Sequence, residues 1–138
     1  MSQPLTVDAS VFVNAFSPTE ESSNHSWAYL NSLKRAGTPI IVPMLLLPEI
    51  AAAISRKQGN AALGIQLAHE VRDIPHLTLI ALDKTLANQA VEIAATRRLR
   101  GSDAVYAAVV LRFGTELVTL DREQLERLAG VLTVRELL

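Results

Sequence analysis

A chain of 138 residues with 49% hydrophobic and 20% charged residues is too apolar for a disordered polyampholyte and shows no collagen-like or mucin-like repeat. Its formal net charge of −1 excludes the generally basic surface of a nonspecific nucleic-acid coat, and the absence of cysteine excludes disulfides and thiolate zinc sites. A chain this long buries roughly 70% of the surface it exposes when unfolded, so a single domain over residues 1–138 is expected without covalent staples.

Short apolar runs alternate along the chain with longer helical stripes, the pattern of an α/β fold with a parallel sheet and crossover helices. The first strand is expected at Leu5–Val7. Trp27, Leu30 and Leu33 then mark one face of a helix that Gly37 and Pro39 stop. A second strand is expected at Pro39–Val42. Two helices follow between Met44 and Ile74, broken near Gly59-Asn60, the second with a stripe of Leu63, Leu67, Val71 and Ile74. The third strand is expected at Leu77–Ile80. After Asp83, Leu86, Ala90, Ile93 and Ala94 recur at helical spacing, and another helix runs from about Ser102 to Phe113, where Gly114 ends it. Strands are expected at Glu116–Thr119 and Val131–Val134, with a helix at about Asp121–Ala129 between them, and all five strands should be buried on both faces. No apolar run approaches the ~20 residues of a membrane span, and Met1 to Thr6 holds no basic segment leading into an apolar stretch. The expectation is a soluble, cytoplasmic protein that does not engage membranes.

In an open α/β sheet, ligands bind beyond the carboxyl ends of the strands, so Asp8, Asp83 and Asp121 draw attention. Aspartate there also caps helices, and Asp83 is read as such a cap. Asp121 has Gln124 three residues on, which resembles a capping box. Asp8 is followed at once by Val11, Phe12 and Val13, which place it deep in the fold, where an unpaired carboxylate is costly. Glu49 points away from Met44, Leu47, Ile50, Ala51 and Ile54, yet its neighbours at helical spacing are Leu45, Leu46, Ala52 and Ala53. With no local cation, it needs a distant partner, a metal or a raised pKa. Asp103 follows Ser102, a candidate N-cap, and stands near Arg97, Arg98 and Arg100, which are either a solvated helix end or phosphate contacts. His25, His69 and His76 lack zinc-ligand spacing, and there is no dinucleotide, P-loop or nucleophile-elbow motif.

Together the acids form an ordered set: Asp8 in Val7-Asp8-Ala9-Ser10, Glu49 in Leu47-Pro48-Glu49-Ile50, Asp103 in Ser102-Asp103-Ala104-Val105-Tyr106, and Asp121 in Thr119-Leu120-Asp121. In order and length the chain resembles PIN-domain proteins and, more narrowly, is similar to the VapC-type toxins of bacterial and archaeal toxin–antitoxin pairs. That resemblance implies a three-layer α/β/α fold with a five-stranded parallel sheet and an acidic pocket binding Mg²⁺ or Mn²⁺. It further implies a ribonuclease that hydrolyses RNA phosphodiester bonds, forms a homodimer and is inhibited by a cognate antitoxin. Asp8, Glu49, Asp103 and Asp121 match the catalytic, metal-binding quartet, while Ser10 and Thr119 match small polar residues that support it. Many relatives carry Asn or Thr at Ser10 and an aromatic at Gln124, and the second change is expected to alter packing beneath the site rather than its chemistry. Clustered carboxylates repel one another unless a hard cation neutralises them, and oxygen ligands select Mg²⁺ or Mn²⁺ over zinc. Arg97, Arg98 and Arg100 would guide the RNA backbone. The alternatives are a solitary PIN nuclease without an antitoxin and an inactive PIN interaction module. A phosphoryl acceptor of the dehalogenase type fits poorly, because Asp8-Ala9-Ser10 lacks its Asp-x-Asp pattern.

Overall fold

The computed structural model describes residues 3–137, so Met1, Ser2 and Leu138 of the expected domain lie outside it. Five strands, β1 (Leu5–Val7), β2 (Ile40–Pro43), β3 (Leu77–Ile80), β4 (Glu116–Thr119) and β5 (Val134–Glu136), form one sheet in the order β3-β2-β1-β4-β5. Every pairing is parallel, as the buried apolar runs require. Seven helices connect them among the described residues: α1 (Ala9–Ala15), α2 (Ser23–Ala36), α3 (Leu46–Gln58), α4 (Ala61–Arg72), α5 (Lys84–Arg97), α6 (Gly101–Phe113) and α7 (Arg122–Leu128). The architecture is α/β with the five-stranded parallel sheet expected. From the central strand β1 the chain works outward through β2 and β3, then returns to the other side of β1 for β4 and β5. The strand order therefore reverses between β1 and β4, and the crevice at such a switch point is where open α/β sheets bind ligands.

Two strand expectations need correction. Only β1, β2 and β4 are largely buried; in β3 Thr78 is exposed, and in β5 Arg135 and Glu136 are exposed, because both are edge strands. The last strand starts at Val134 rather than Val131. The Val131 and Leu132 N–H groups turn back onto the Leu128 carbonyl at 3.0 and 3.4 Å, so these residues close the end of α7, and pairing resumes when Leu117 N–H reaches the Thr133 carbonyl at 3.0 Å.

Helix packing shows how small residues set distances. On α2 the expected apolar face is buried only at Leu33, because Ser23 and Ser26 face inward and Trp27 is half exposed against Phe16. Ser26 Oγ donates to Asn14 Oδ1 at 2.6 Å and Ser23 Oγ to the Ala15 carbonyl at 3.2 Å, which seats α2 on α1. The helix α1, unassigned from the sequence, starts immediately after Asp8. In α4 the buried positions are Gly64, Ala68 and Val71, with Leu63 and Leu67 half buried, and Ile74 of the expected stripe falls just past the helix, which ends at Arg72. A Cβ on Gly64 would stand 2.6 Å from the Ala51 carbonyl oxygen, so α3 and α4 meet there at a distance only glycine allows. Leu86, Ala90 and Ile93 of α5 are buried as their spacing predicts. Helix α6 is buried continuously from Asp103 to Val110 and is the central packing element. Among the described residues no helix is long and apolar enough to cross a membrane.

Candidate functional site

Asp8 follows β1 directly and caps α1, its Oδ2 accepting the Ser10 N–H at 3.0 Å, and it is only 6% exposed. Ser10 Oγ in turn accepts the Leu120 N–H at 3.0 Å and lies 3.3 Å from Thr119 Oγ1. These bonds stitch the β1–α1 junction to the β4–α7 junction across the switch point. Thr119 Oγ1 accepts the Asp121 N–H at 2.9 Å and donates to Gln124 Oε1 at 2.6 Å. Ser10 and Thr119 thus stand together beside the acids, as expected.

Asp121 caps α7, its Oδ1 accepting the Glu123 N–H at 2.9 Å and the Gln124 N–H at 3.4 Å. The expected capping box does not form, because Thr119 takes the Asp121 N–H and the Gln124 side chain turns inward. Gln124 is fully buried, and its Nε2 donates to Asp8 Oδ1 at 3.2 Å and to Asp103 Oδ1 at 3.0 Å. The expectation that Gln124 affects only packing therefore fails. Its position one turn before the buried Leu128 was the available signal, since both lie on the inner face of α7.

Asp103 sits in the first turn of α6 and is buried; its Oδ2 accepts from Arg100 Nε at 3.1 Å. Ser102 is not the cap, for α6 begins at Gly101 with Arg100 at the cap position and no side-chain cap bond. Arg100 also donates through Nη2 to Asp121 Oδ2 at 2.8 Å, so it pairs with two of the acids while its side chain stays largely exposed. Arg97 and Arg98 are exposed at the end of α5, with Arg98 in the left-handed region at φ 56°. Asp83 behaves as the cap expected of it, accepting the Leu86 N–H at 2.8 Å and two bonds from Arg112 at 3.1 Å.

Glu49 reaches the same cleft from α3. Its distant partner is Tyr106 of α6, whose hydroxyl donates to Oε1 at 2.8 Å. Burial pushes the Glu49 carboxyl up to about 7 against the opposing Tyr106 bond, and the neighbouring charges of Asp8 and Asp103 push it the same way. Burial, then the charge of Asp8, also raises Asp103, opposed by Arg100. Tyr106 is buried and its phenol is pushed well up, first by burial and then by Asp8 and Glu49.

The cleft measures about 940 Å³; Asp8, Glu49, Asp103 and Asp121 line its polar end, and Leu82 and Val91 belong to its apolar wall. None of the three histidines lines it. Among the described residues no three acidic or imidazole groups converge tightly enough to enclose one ion. Instead, Gln124 joins Asp8 to Asp103, Arg100 joins Asp103 to Asp121, and Tyr106 holds Glu49. Four carboxylates, with Arg100 among them and Arg56 as the second guanidinium of the lining, make a pocket able to attract a hard cation or a cationic side chain.

No curated protein matches the chain in sequence. Among solved structures it resembles VapC20 of Mycobacterium tuberculosis, a sarcin-ricin loop cleaving toxin, with a TM-score of 0.74 and 18% identity over 91% of this chain and 95% of that one. It also resembles VapBC2 of Rickettsia felis bound to promoter DNA, with a TM-score of 0.70 and 15% identity over 96% and 98%. DNA-bound VapBC of Salmonella typhimurium matches with a TM-score of 0.67 and 16% identity over 100% of both chains. At these identities the likeness is one of fold. A family model for the PIN domain matches residues 5–131, and the chain belongs to the PIN-domain family.

Proposed function

We propose that the protein is a divalent-metal-dependent endoribonuclease, hydrolysing RNA phosphodiester bonds as the toxin of a VapBC-type toxin–antitoxin pair. The observation that carries this reading is the convergence of Asp8, Glu49, Asp103 and Asp121 on one cleft beside the β1/β4 switch point. Structural relatives that are VapBC proteins, one of them a loop-cleaving toxin, support it.

The donor set fits a hard ion. Mg²⁺ keeps several waters and takes one or two carboxylates plus substrate phosphate, so Asp8 and Asp103, joined through Gln124, suffice as its direct protein contacts. Glu49 and Asp121 would then act directly or through water. When bound, Mg²⁺ or Mn²⁺ supplies a water acidified towards neutrality and positive charge for the scissile phosphate. Glu49, pushed up to about 7 by burial before an ion binds, can take a proton from an attacking water once it is ionised. Asp121 is held in place by its cap on α7 and by Arg100. Arg97 and Arg98, with the 67% exposed Arg100 side chain, offset the repulsion between RNA phosphates and the acids. Exposed apolar side chains at Leu82 and Val91 on the cleft wall are consistent with a surface covered by a second copy or by the antitoxin. In this reading the chain acts in the cytoplasm as one domain over residues 1–138.

The test compares wild type with Asp8→Asn for cleavage of RNA in chelator and in Mg²⁺ or Mn²⁺. Asn keeps an oxygen for the Ser10 N–H and so preserves the cap, but it turns an NH₂ towards the Gln124 NH₂. The stability read is therefore the gain on adding metal, RT ln(1 + [L]/Kd), rather than stability in chelator. Wild type should cleave and gain stability with metal, and Asp8→Asn should do neither; metal-dependent cleavage by Asp8→Asn would refute the assignment.

A further inference from the structure

Beneath the acids one neutral side chain bonds to two of them at once. Gln124 Nε2 donates to Asp8 Oδ1 at 3.2 Å and to Asp103 Oδ1 at 3.0 Å, while its Oε1 accepts from Thr119 Oγ1 at 2.6 Å. The amide cannot be turned over. Thr119 Oγ1 accepts the Asp121 N–H and lies closer to Gln124 Oε1, at 2.6 Å, than to its other acceptor Asp8 Oδ2, at 3.4 Å, and the reverse orientation would set a carbonyl oxygen against two carboxylates. Thr119 and Gln124 are both fully buried, and no buried side-chain polar atom lacks a partner among the described residues.

We propose that Gln124 is the positioning residue of the metal site, its NH₂ holding Asp8 and Asp103 at a fixed separation without neutralising either. The proposal rests on the metal-dependent reading above. A carboxamide suits this task because one uncharged nitrogen supplies two N–H donors, whereas a lysine or arginine would bring the charge that the cation must supply. Each carboxylate gives Gln124 only its Oδ1. Asp8 Oδ2 is aligned by the Ser10 N–H and Asp103 Oδ2 by Arg100, so both groups are oriented at two points before an ion arrives. An apolar side chain of the same volume would fill the space but remove the one bond donor the two carboxylates share, leaving Asp8 to Ser10 and Thr119 and Asp103 to Arg100 with no common group fixing their separation.

The test is Mn²⁺ binding by calorimetry to the full chain, with melting temperatures in chelator and in Mn²⁺, for wild type, Gln124→Met, Gln124→Glu and Leu128→Ala. Leu128 is fully buried one turn along α7, so its truncation loosens the same helix without touching a bond to the acids. Gln124→Met should raise the Mn²⁺ Kd by about 10- to 100-fold, the usual cost of removing a group that orients a metal ligand. Leu128→Ala should leave that Kd within about twofold despite the lower melting temperature expected of a core truncation. Gln124→Glu sets a third carboxylate against Asp8 and Asp103, so it should melt lower than wild type in chelator and gain more from Mn²⁺ than wild type does. If Gln124→Met binds Mn²⁺ like wild type, or Leu128→Ala weakens binding as much, Gln124 only fills space and the proposal fails while the metal reading stands. If Gln124→Met does not fold, an Mn²⁺ gain in Gln124→Glu no larger than in wild type overturns the proposal equally. Wild type that binds no Mn²⁺ overturns both.

Discussion

Replacing Glu49 by Gln tests the electrostatics of the cleft without changing its shape. In the folded protein the Glu49 carboxyl rises from an ordinary 4.5 to about 7, chiefly through burial and then through Asp8 and Asp103. The native state therefore holds a proton on Glu49 that the unfolded chain has released between about pH 4.5 and 7. Stability contributed by that proton is fully present below the lower value and is lost as pH rises through the upper one. At ~1.4 kcal/mol per tenfold the ceiling is about 3 kcal/mol, and because Glu49 is only partly shielded, solvent screening reduces it to ~1–2 kcal/mol. The amide introduced by Glu49→Gln keeps an oxygen for the Tyr106 hydroxyl and carries no charge. In chelator, Glu49→Gln should match wild type near pH 5 and exceed it by ~1–2 kcal/mol at pH 8, roughly 3–8 °C in melting temperature for a domain of this size. His76, lowered mainly by burial, contributes stability that grows with pH, but it is common to both proteins and cancels in their difference. The assay is a thermal melt at half-unit steps from pH 5 to 8. Parallel curves for the two proteins would refute the argument, and a Glu49→Gln protein less stable than wild type at pH 8 would show that the ionised carboxylate is stabilised where the structure says it is strained.

Four further outcomes are expected. Gly64→Ala drives a methyl to 2.6 Å from the Ala51 carbonyl oxygen and should destabilise by ~1–3 kcal/mol in denaturant melts, despite alanine's better helix propensity. Arg98→Gly should stabilise by up to about 1 kcal/mol, because Arg98 closes α5 in the left-handed region at φ 56°. Arg100→Gln should cost under about 1 kcal/mol in chelator, since the guanidinium is largely exposed, yet increase the stabilisation gained from Mn²⁺ by removing a competing cation from Asp103 and Asp121. Arg97→Gln should weaken RNA binding and lower the slope of log affinity against log salt by about one ion's worth, read from binding at several salt concentrations; an unchanged slope would remove Arg97 from the RNA path.

Much of the fold was legible because parallel strands buried on both faces leave short apolar runs that turn signals punctuate. The first, third and fourth strands were placed to the residue, and the α3/α4 break fell where Gly59-Asn60 predicts. The last strand was misplaced by three residues because Val131 and Leu132 are apolar enough for a strand, while their N–H groups are consumed by the Leu128 carbonyl. The Trp27 face was misjudged for the opposite reason, since serines with partners on α1 can be buried as readily as leucine.

The candidate site divides along the same line. Residue types and spacing sufficed to mark Asp8 and Glu49, because a carboxylate in an apolar context is anomalous whatever the fold, whereas Asp103, with Arg100 three residues before it, and Asp121, at a helix start, join them through the family resemblance. What bonds to each was decided only in three dimensions. Tyr106 meets Glu49 from 57 positions away and Gln124 meets Asp8 from 116, and no periodicity along one helix or strand can report such pairs. Arg100 lies within reach of Asp103 in sequence, but its bond to Asp121 exists because β4 lies beside β1 and delivers α7 to the same crevice. Local sequence determines which groups are anomalous; the order in which strands pack determines which of those groups meet.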